Sequence, residues 1–146
     1  MTLDKRIIIH TDGGSRGNPG AAAIGVVIES HDHDPSAPKW QKRYKERIGV
    51  ATNNTAEYKA LILALKESKK ILSKESKGTD IELRTDSELM MKQMIGDYKI
   101  KDTNLKELAT EAHKLILNFK NVKFLHIPRE KNKEADKLVN EALDNI

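Results

Sequence analysis

KRIIIHTDGGSRGNPGAAAIGVVIE, residues 5–29, sets two apolar, β-branched runs on either side of a glycine-rich stretch, TDGGSRGNPG at 11–20. Lys5 to Thr11 and Ala22 to Glu29 predict strands, because Ile and Val favour extended backbone. The stretch between them has three readings: a phosphate cradle, a metal ligand, or only a turn. A Walker loop needs a closing Gly-Lys-Ser or Gly-Lys-Thr, and the dinucleotide fingerprint needs G-x-G-x-x-G opening a helix. Here the glycines fall at 13, 14, 17 and 20, and another strand follows. Neither nucleotide loop fits. Asp12 is left at a strand end, as a ligand or as an ordinary turn residue, with glycines that let the turn pack close to a substrate backbone.

Further along, SHDHDPSAPK at 30–39 predicts a loop from its Asp, Ser and Pro. WQKRYKERIGV at 40–50 predicts a third strand. On it Lys39, Gln41, Arg43, Lys45 and Arg47 share one face, while Trp40, Tyr44 and Ile48 share the other with Lys42 and Glu46. The basic face reads as solvated sheet surface or as a nucleic-acid contact. Short links among the three strands predict an antiparallel meander. The period then changes: Ala60, Leu61, Ala64, Leu65, Ser68 and Leu72 recur at helical spacing, with NNT at 53–55 as N-cap candidates in front. IELRTD at 81–86 predicts a strand, and SELMMKQMIG a short helix stopped by Gly96. A stripe of Leu105, Leu108, Ala109, Ala112, Ile116 and Phe119 predicts a helix from about Asp102. VKFLHI predicts a last strand, and Ala135, Leu138, Val139, Ala142, Leu143 and Ile146 an apolar face on a helix from near Asn132. The order is β-β-β-α-β-α-α-β-α, an α/β fold whose later strands are far enough apart for parallel crossovers.

The 146 residues suit one domain, 1–146. Lys and Arg number 26 against 22 Asp and Glu, a net charge of +4 that suits an anionic partner and equally suits ordinary solubility. There is no cysteine, which excludes disulfides and thiolate metal sites and leaves oxygen or imidazole ligands. No apolar run approaches the roughly 18 residues that span a bilayer, and MTLDKRIIIHTD has no signal-peptide core. The expectation is a cytoplasmic monomer without membrane contact.

Four acids then stand out. Glu57 is predicted in the first turn of its helix, where the dipole favours a carboxylate in any case. Asp86 ends IELRTD and equally suits a helix cap. Asp136 lies early in the last helix, about 100° round from the core position Ala135. With Asp12 they make four carboxylates at or near the ends of different elements, the donor set that oxygen-ligated divalent cations require.

TDGGSRGNPGAAAIGVVI, TNNTAEYKALILAL, LRTDSELMMKQM and IPREKNKEADKLVNEAL resemble, in order, the four successive motifs of ribonuclease H, type 1. The likeness runs over nearly the whole chain. It implies the ribonuclease H-like fold, a five-stranded mixed sheet with the first three strands antiparallel, flanked by helices. It also implies an endonuclease that cuts the RNA strand of RNA/DNA hybrids, leaving 5′-phosphate and 3′-hydroxyl ends. By motif position Asp12, Glu57, Asp86 and Asp136 are then the catalytic metal ligands for two Mg²⁺ ions, with Mn²⁺ as the other candidate. Asn18, Asn53 and Asn54 match positions at the minor groove, and Thr52 one at a DNA phosphate, although the asparagines also suit turn and cap chemistry.

The chain departs from the family pattern in three places. GDYKIKDTN at 96–104 leaves no room for the basic protrusion some members carry, so hybrid binding would rest on Arg16, Lys42, Arg43 and Lys45. His126 has the spacing of a mobile loop histidine, ten residues before Asp136, but VKFLHI reads as strand; His126 is therefore assigned to structure, and Arg129 or Lys131 to helping product or metal leave. Glu88 stands where many relatives have Gln. Two further readings are a broader nuclease that also cleaves double-stranded RNA, and a non-catalytic hybrid-binding protein. Clustered carboxylates facing phosphates argue against the second.

Overall fold

The structure is a computed structural model that describes residues 6–31 and 38–146. Three long strands, β1 (Arg6–Arg16), β2 (Gly20–His31) and β3 (Trp40–Ala51), are followed by the helix α1 (Asn53–Leu72). Then come β4 (Asp80–Thr85), α2 (Glu88–Met94), α3 (Thr103–Ile116), β5 (Asn121–His126) and α4 (Lys133–Asp144). The strands form one five-stranded sheet in the order β3-β2-β1-β4-β5. β1 pairs antiparallel with β2 and β2 with β3, whereas β4 runs parallel to both β1 and β5. The expected element order and mixed sheet are both present.

The glycine-rich stretch is mostly strand. Asp12 to Arg16 continue β1, paired with Gly25 to Ala21 of β2, and only Gly17, Asn18 and Pro19 form the turn. Glycine weakens a strand locally, but the ladder partners are supplied by the following segment and hold the backbone extended. β2 likewise runs on through Ser30 and His31, so the predicted loop at 30–39 begins later; its residues 32–37 lie outside those described.

Two glycines serve internal packing rather than approach to a substrate. A Cβ on Gly13 would lie 2.3 Å from the Ala56 carbonyl carbon, and one on Gly25 would lie 2.4 Å from the Ala135 oxygen. α1 and α4 therefore touch the backbone of the sheet on its opposite faces.

α1 and α3 cover one face over the larger core, in which Ile7, Ile9, Val26, Ile28, Tyr58, Leu61, Leu65 and Leu83 are fully buried. Trp40, Tyr44 and Ile48 pack on this core from β3, as their shared face predicts. α4 covers the other face through Ala23, Val139 and Ala142, with Leu143 packed beside them. The last turn departs from the predicted stripe: Ile146 is 77% exposed because the helix ends at Asp144. Phe119 lies beyond the end of α3 but still reaches the main core.

The basic face of β3 looks toward α4 and is partly occupied by it. Arg43 pairs with Glu134 at 3.0 Å, and Lys45 with Glu141 at 3.6 Å. On the core side, Tyr58 ties α1 to α2, its hydroxyl donating to Gln93 Oε1 at 2.8 Å. Burial pushes this phenol up to about 12. Tyr58→Phe keeps the ring and leaves Gln93 without its donor, so urea denaturation should register a loss of about 1 kcal/mol.

Candidate active site

β1 and β4 run side by side until the pair Thr11 and Thr85, and each contributes an acid one residue later, Asp12 and Asp86. Glu57 comes from α1, which Gly13 allows to approach. The Gly13 N–H donates to Glu57 Oε1 at 2.6 Å, fixing this carboxylate over the strand end. Ligand oxygens of Asp12, Glu57 and Asp86 all lie within 4.8 Å of one another. Asp136, in the first turn of α4, stands outside that tight group but acts on the Asp12 carboxyl and lines the same cleft.

Two sequence readings of these acids need correction. The N-cap of α1 is Thr52, whose Oγ1 accepts from Thr55 N, so Asn53 to Thr55 form the first turn and Glu57 lies beyond it. Its place therefore owes nothing to first-turn dipole stabilisation. Asp86 does not cap α2, because Ser87 does, its Oγ accepting from Met90 N at 3.2 Å. Asp86 is left free to face the other acids.

Burial and mutual repulsion set the electrostatics. Asp12 is pushed up to about 8, first by burial, then by the charges of Asp86 and Asp136. Burial also holds Glu57 well above the usual carboxylate range, reinforced by Asp12 and Asp86; the Gly13 N–H and the Arg129 guanidinium oppose this only in part. A cluster of hard oxygen donors that cannot all ionise unaided fits a divalent cation.

The cleft has a volume of about 390 Å³ and is lined also by Arg16, Asn53, Asn54 and Arg129. Lys131 lines a separate recess beside His10, so of the two basic candidates only Arg129 borders the acids. His126 closes β5 with Nδ1 3.9 Å from Glu88, which also pairs with Lys92. Arg16 reaches the cleft wall but spends its guanidinium on Asp144 at 2.6 Å.

A neighbouring recess is lined by Asn18, Thr52, Asn53, Asn54, Asp102 and Asn104. Asn53 and Asn54 border both cavities. Asn18 Oδ1 accepts from Asn53 N at 3.0 Å, and Asn53 Oδ1 accepts from Ser15 N at 2.9 Å. Through these oxygens the amides tie the β1–β2 hairpin to the start of α1, while the side-chain cap of α1 comes from Thr52. As site residues Asp102 and Asn104 escaped the sequence reading, which took Asp102 only as a helix start and 96–104 as the missing protrusion.

Carboxylates converging where the parallel strands β1 and β4 part suit metal-assisted hydrolysis. Comparison with known proteins narrows that class. A family model described as reverse transcriptase-like matches residues 10–142. A ribonuclease HI of Halobacterium salinarum is 41% identical over 140 residues, covering 96% of this chain and 65% of that protein. The crystal structure of the RNase H1 from that archaeon aligns with a TM-score of 0.82 at 40% identity, over 97% of this chain and 99% of the other. LC11-RNase H1, solved in complex with an RNA/DNA hybrid, aligns with a TM-score of 0.83 at 45% identity, over 95% and 97%. The chain belongs to the type 1 ribonuclease H family. It spans 36% of another relative, a bifunctional protein of Mycobacterium tuberculosis that is 37% identical over 139 residues, 95% of this chain. Among the described residues no helix is long and apolar enough to cross a membrane.

Proposed function

We propose that residues 1–146 act as one ribonuclease H domain that hydrolyses the RNA strand of RNA/DNA hybrids endonucleolytically, leaving 5′-phosphate and 3′-hydroxyl ends. The observation that carries this reading is the convergence of Asp12, Glu57 and Asp86, with Asp136 against Asp12, in a chain of this family. The solved hybrid complex of LC11-RNase H1 supports the same partner.

Asp12, Glu57, Asp86 and Asp136 would hold the cations. An all-carboxylate set without Cys or His suits Mg²⁺, or Mn²⁺, over softer metals. Two bound ions would activate the attacking water and stabilise the departing oxygen. The chain itself supplies orientation: the Gly13 N–H fixes Glu57, and Arg129 places a cation at the edge of the acids. In this reading Arg129 eases release of product. Asn18 and Asn53 use their amide oxygens internally, which directs their NH₂ groups to the acceptors of a minor groove and its 2′-hydroxyls. Asn54 joins them there, Thr52 meets a phosphate, and Arg16 adds a cation beside the backbone.

The test is incubation of labelled RNA/DNA hybrid, double-stranded RNA and double-stranded DNA with the protein and Mg²⁺. Only the RNA of the hybrid should shorten, and Glu57→Gln should slow this about 10²–10³-fold while hybrid binding persists. Hybrid bound but never cut would leave a binding protein, and cleavage of the all-RNA duplex would broaden the specificity.

A further inference from the structure

Asn132 immediately precedes α4 and is 1% exposed. Asparagine is a favoured helix cap, yet its side chain makes no capping bond here. The amide turns into the sheet instead. Nδ2 donates to the Thr11 carbonyl oxygen at 2.9 Å and to Asp86 Oδ2 at 3.2 Å. The backbone oxygen of Asn132 accepts from Asp136 N at 3.1 Å. One buried residue thus touches the strand that carries Asp12, the Asp86 carboxylate, and the backbone of Asp136.

The amide has one workable orientation. Flipped, its oxygen would face two acceptors, Thr11 O and Asp86 Oδ2. In the orientation present, Asn132 Oδ1 is buried without a hydrogen-bond partner. A buried orphan acceptor costs stability, about 1–3 kcal/mol, and an apolar side chain of similar volume would avoid that cost. The fold retains it at the fork where β1 and β4 separate, the point at which the acids must be held.

We infer that Asn132 is a positioning residue for the acidic site: its amide orients the Asp86 carboxylate and locks the start of α4, hence Asp136, to the stretch of β1 that presents Asp12. The residue is buried and does not line the cleft, so it acts through the carboxylates. This rests on the reading of those carboxylates as metal ligands. Groups that orient ligands in this way set metal affinity, and losing one costs about 10–100-fold.

The full chain carrying Asn132→Leu or Asn132→Asp provides the test. Leu removes donor and orphan acceptor together; Asp keeps the shape and replaces the donor with a charge beside Asp86. Three quantities are measured: thermal unfolding without metal, the Mg²⁺ concentration that half-saturates the rise in melting temperature, and KM for the hybrid at saturating Mg²⁺. The expected result is a folded protein whose half-saturating Mg²⁺ rises about 10–100-fold, with hybrid KM changed less than about twofold. Unaltered Mg²⁺ response in a folded variant overturns the inference, as does a raised KM with unaltered Mg²⁺ response, which would make Asn132 a substrate contact. If Asn132→Leu does not fold, Asn132→Asp decides by the same measures; failure of both to fold makes the residue structural and also overturns it. No Mg²⁺ response in the unmodified protein would instead sink the metal reading itself.

Discussion

Asp12→Asn should abolish nearly all hybrid cleavage, by about 10²–10³-fold or more, while making the metal-free protein more stable. Both effects come from one charge. Asp12 is buried among acids, and its proton is held until about pH 8. In the unfolded chain the same carboxyl ionises near pH 4. The stability that Asp12 and Glu57 contribute is therefore complete below about pH 4 and drains away as the pH rises toward 8. Melting temperatures of the unmodified protein without metal should fall between about pH 4 and pH 8, and Mg²⁺ should restore most of the loss. Asn cannot ionise, so the variant should show a flatter pH profile, a smaller Mg²⁺ response, and a gain of about 1–2 kcal/mol at the alkaline end. Normal turnover with an unchanged pH profile would remove Asp12 from the site.

Gly13→Ala should be among the most damaging substitutions the chain can suffer. The new methyl would meet three backbone atoms of α1, the Ala56 carbonyl carbon at 2.3 Å, its oxygen at 2.4 Å and the Glu57 nitrogen at 2.6 Å. Backbone cannot swing aside as a flexible side chain can. Either α1 lifts from β1 or β1 bends away, and both break the Gly13 N–H bond to Glu57. A loss of about 3–5 kcal/mol is expected by urea denaturation, with cleavage falling further than stability alone explains. Ala at Gly14 makes the control, since a Cβ there meets nothing nearer than 3.8 Å. If both alanine variants fold and cleave alike, close helix approach is not what Gly13 provides.

How much of this was visible in the sequence depended on how local its cause was. Helical spacing in α1, α3 and α4, and the β-branched runs of β1 and β2, are local signals, and those elements formed. Strand length was not local. Gly13, Gly14 and Ser15 look like a turn until the pairing with Ala22 to Ile24 is known. The same applied to Glu57: a cap two or three residues earlier, Thr52 rather than Asn54 or Thr55, moved the acid out of the first turn. Asp12 and Asp86 were legible because each closes a strand-like run, IIIHTD and IELRTD, although β1 runs on past Asp12 to Arg16. Asn132 was not, because its role arises from contacts to Thr11 and Asp86, 121 and 46 residues away. Of the cations expected to serve hybrid binding, Lys42, Arg43 and Lys45 lie on the strand predicted for them, but the α4 acids that engage Arg43 and Lys45 were not foreseen.

Those ion pairs have another effect. β3 is the outer strand of the sheet, twelve residues long, and among the described residues its far side pairs with no other strand. A strand of that length offers main-chain donors and acceptors to any extended peptide that drifts alongside. From Gln41 to Arg47 every residue except Tyr44 is polar or charged and exposed, and α4 clamps two of the cations in place. A second copy approaching edge to edge would have to strip water from this row and set like charges opposite one another. Growth into larger aggregates is thus discouraged at the one long edge where the fold invites it.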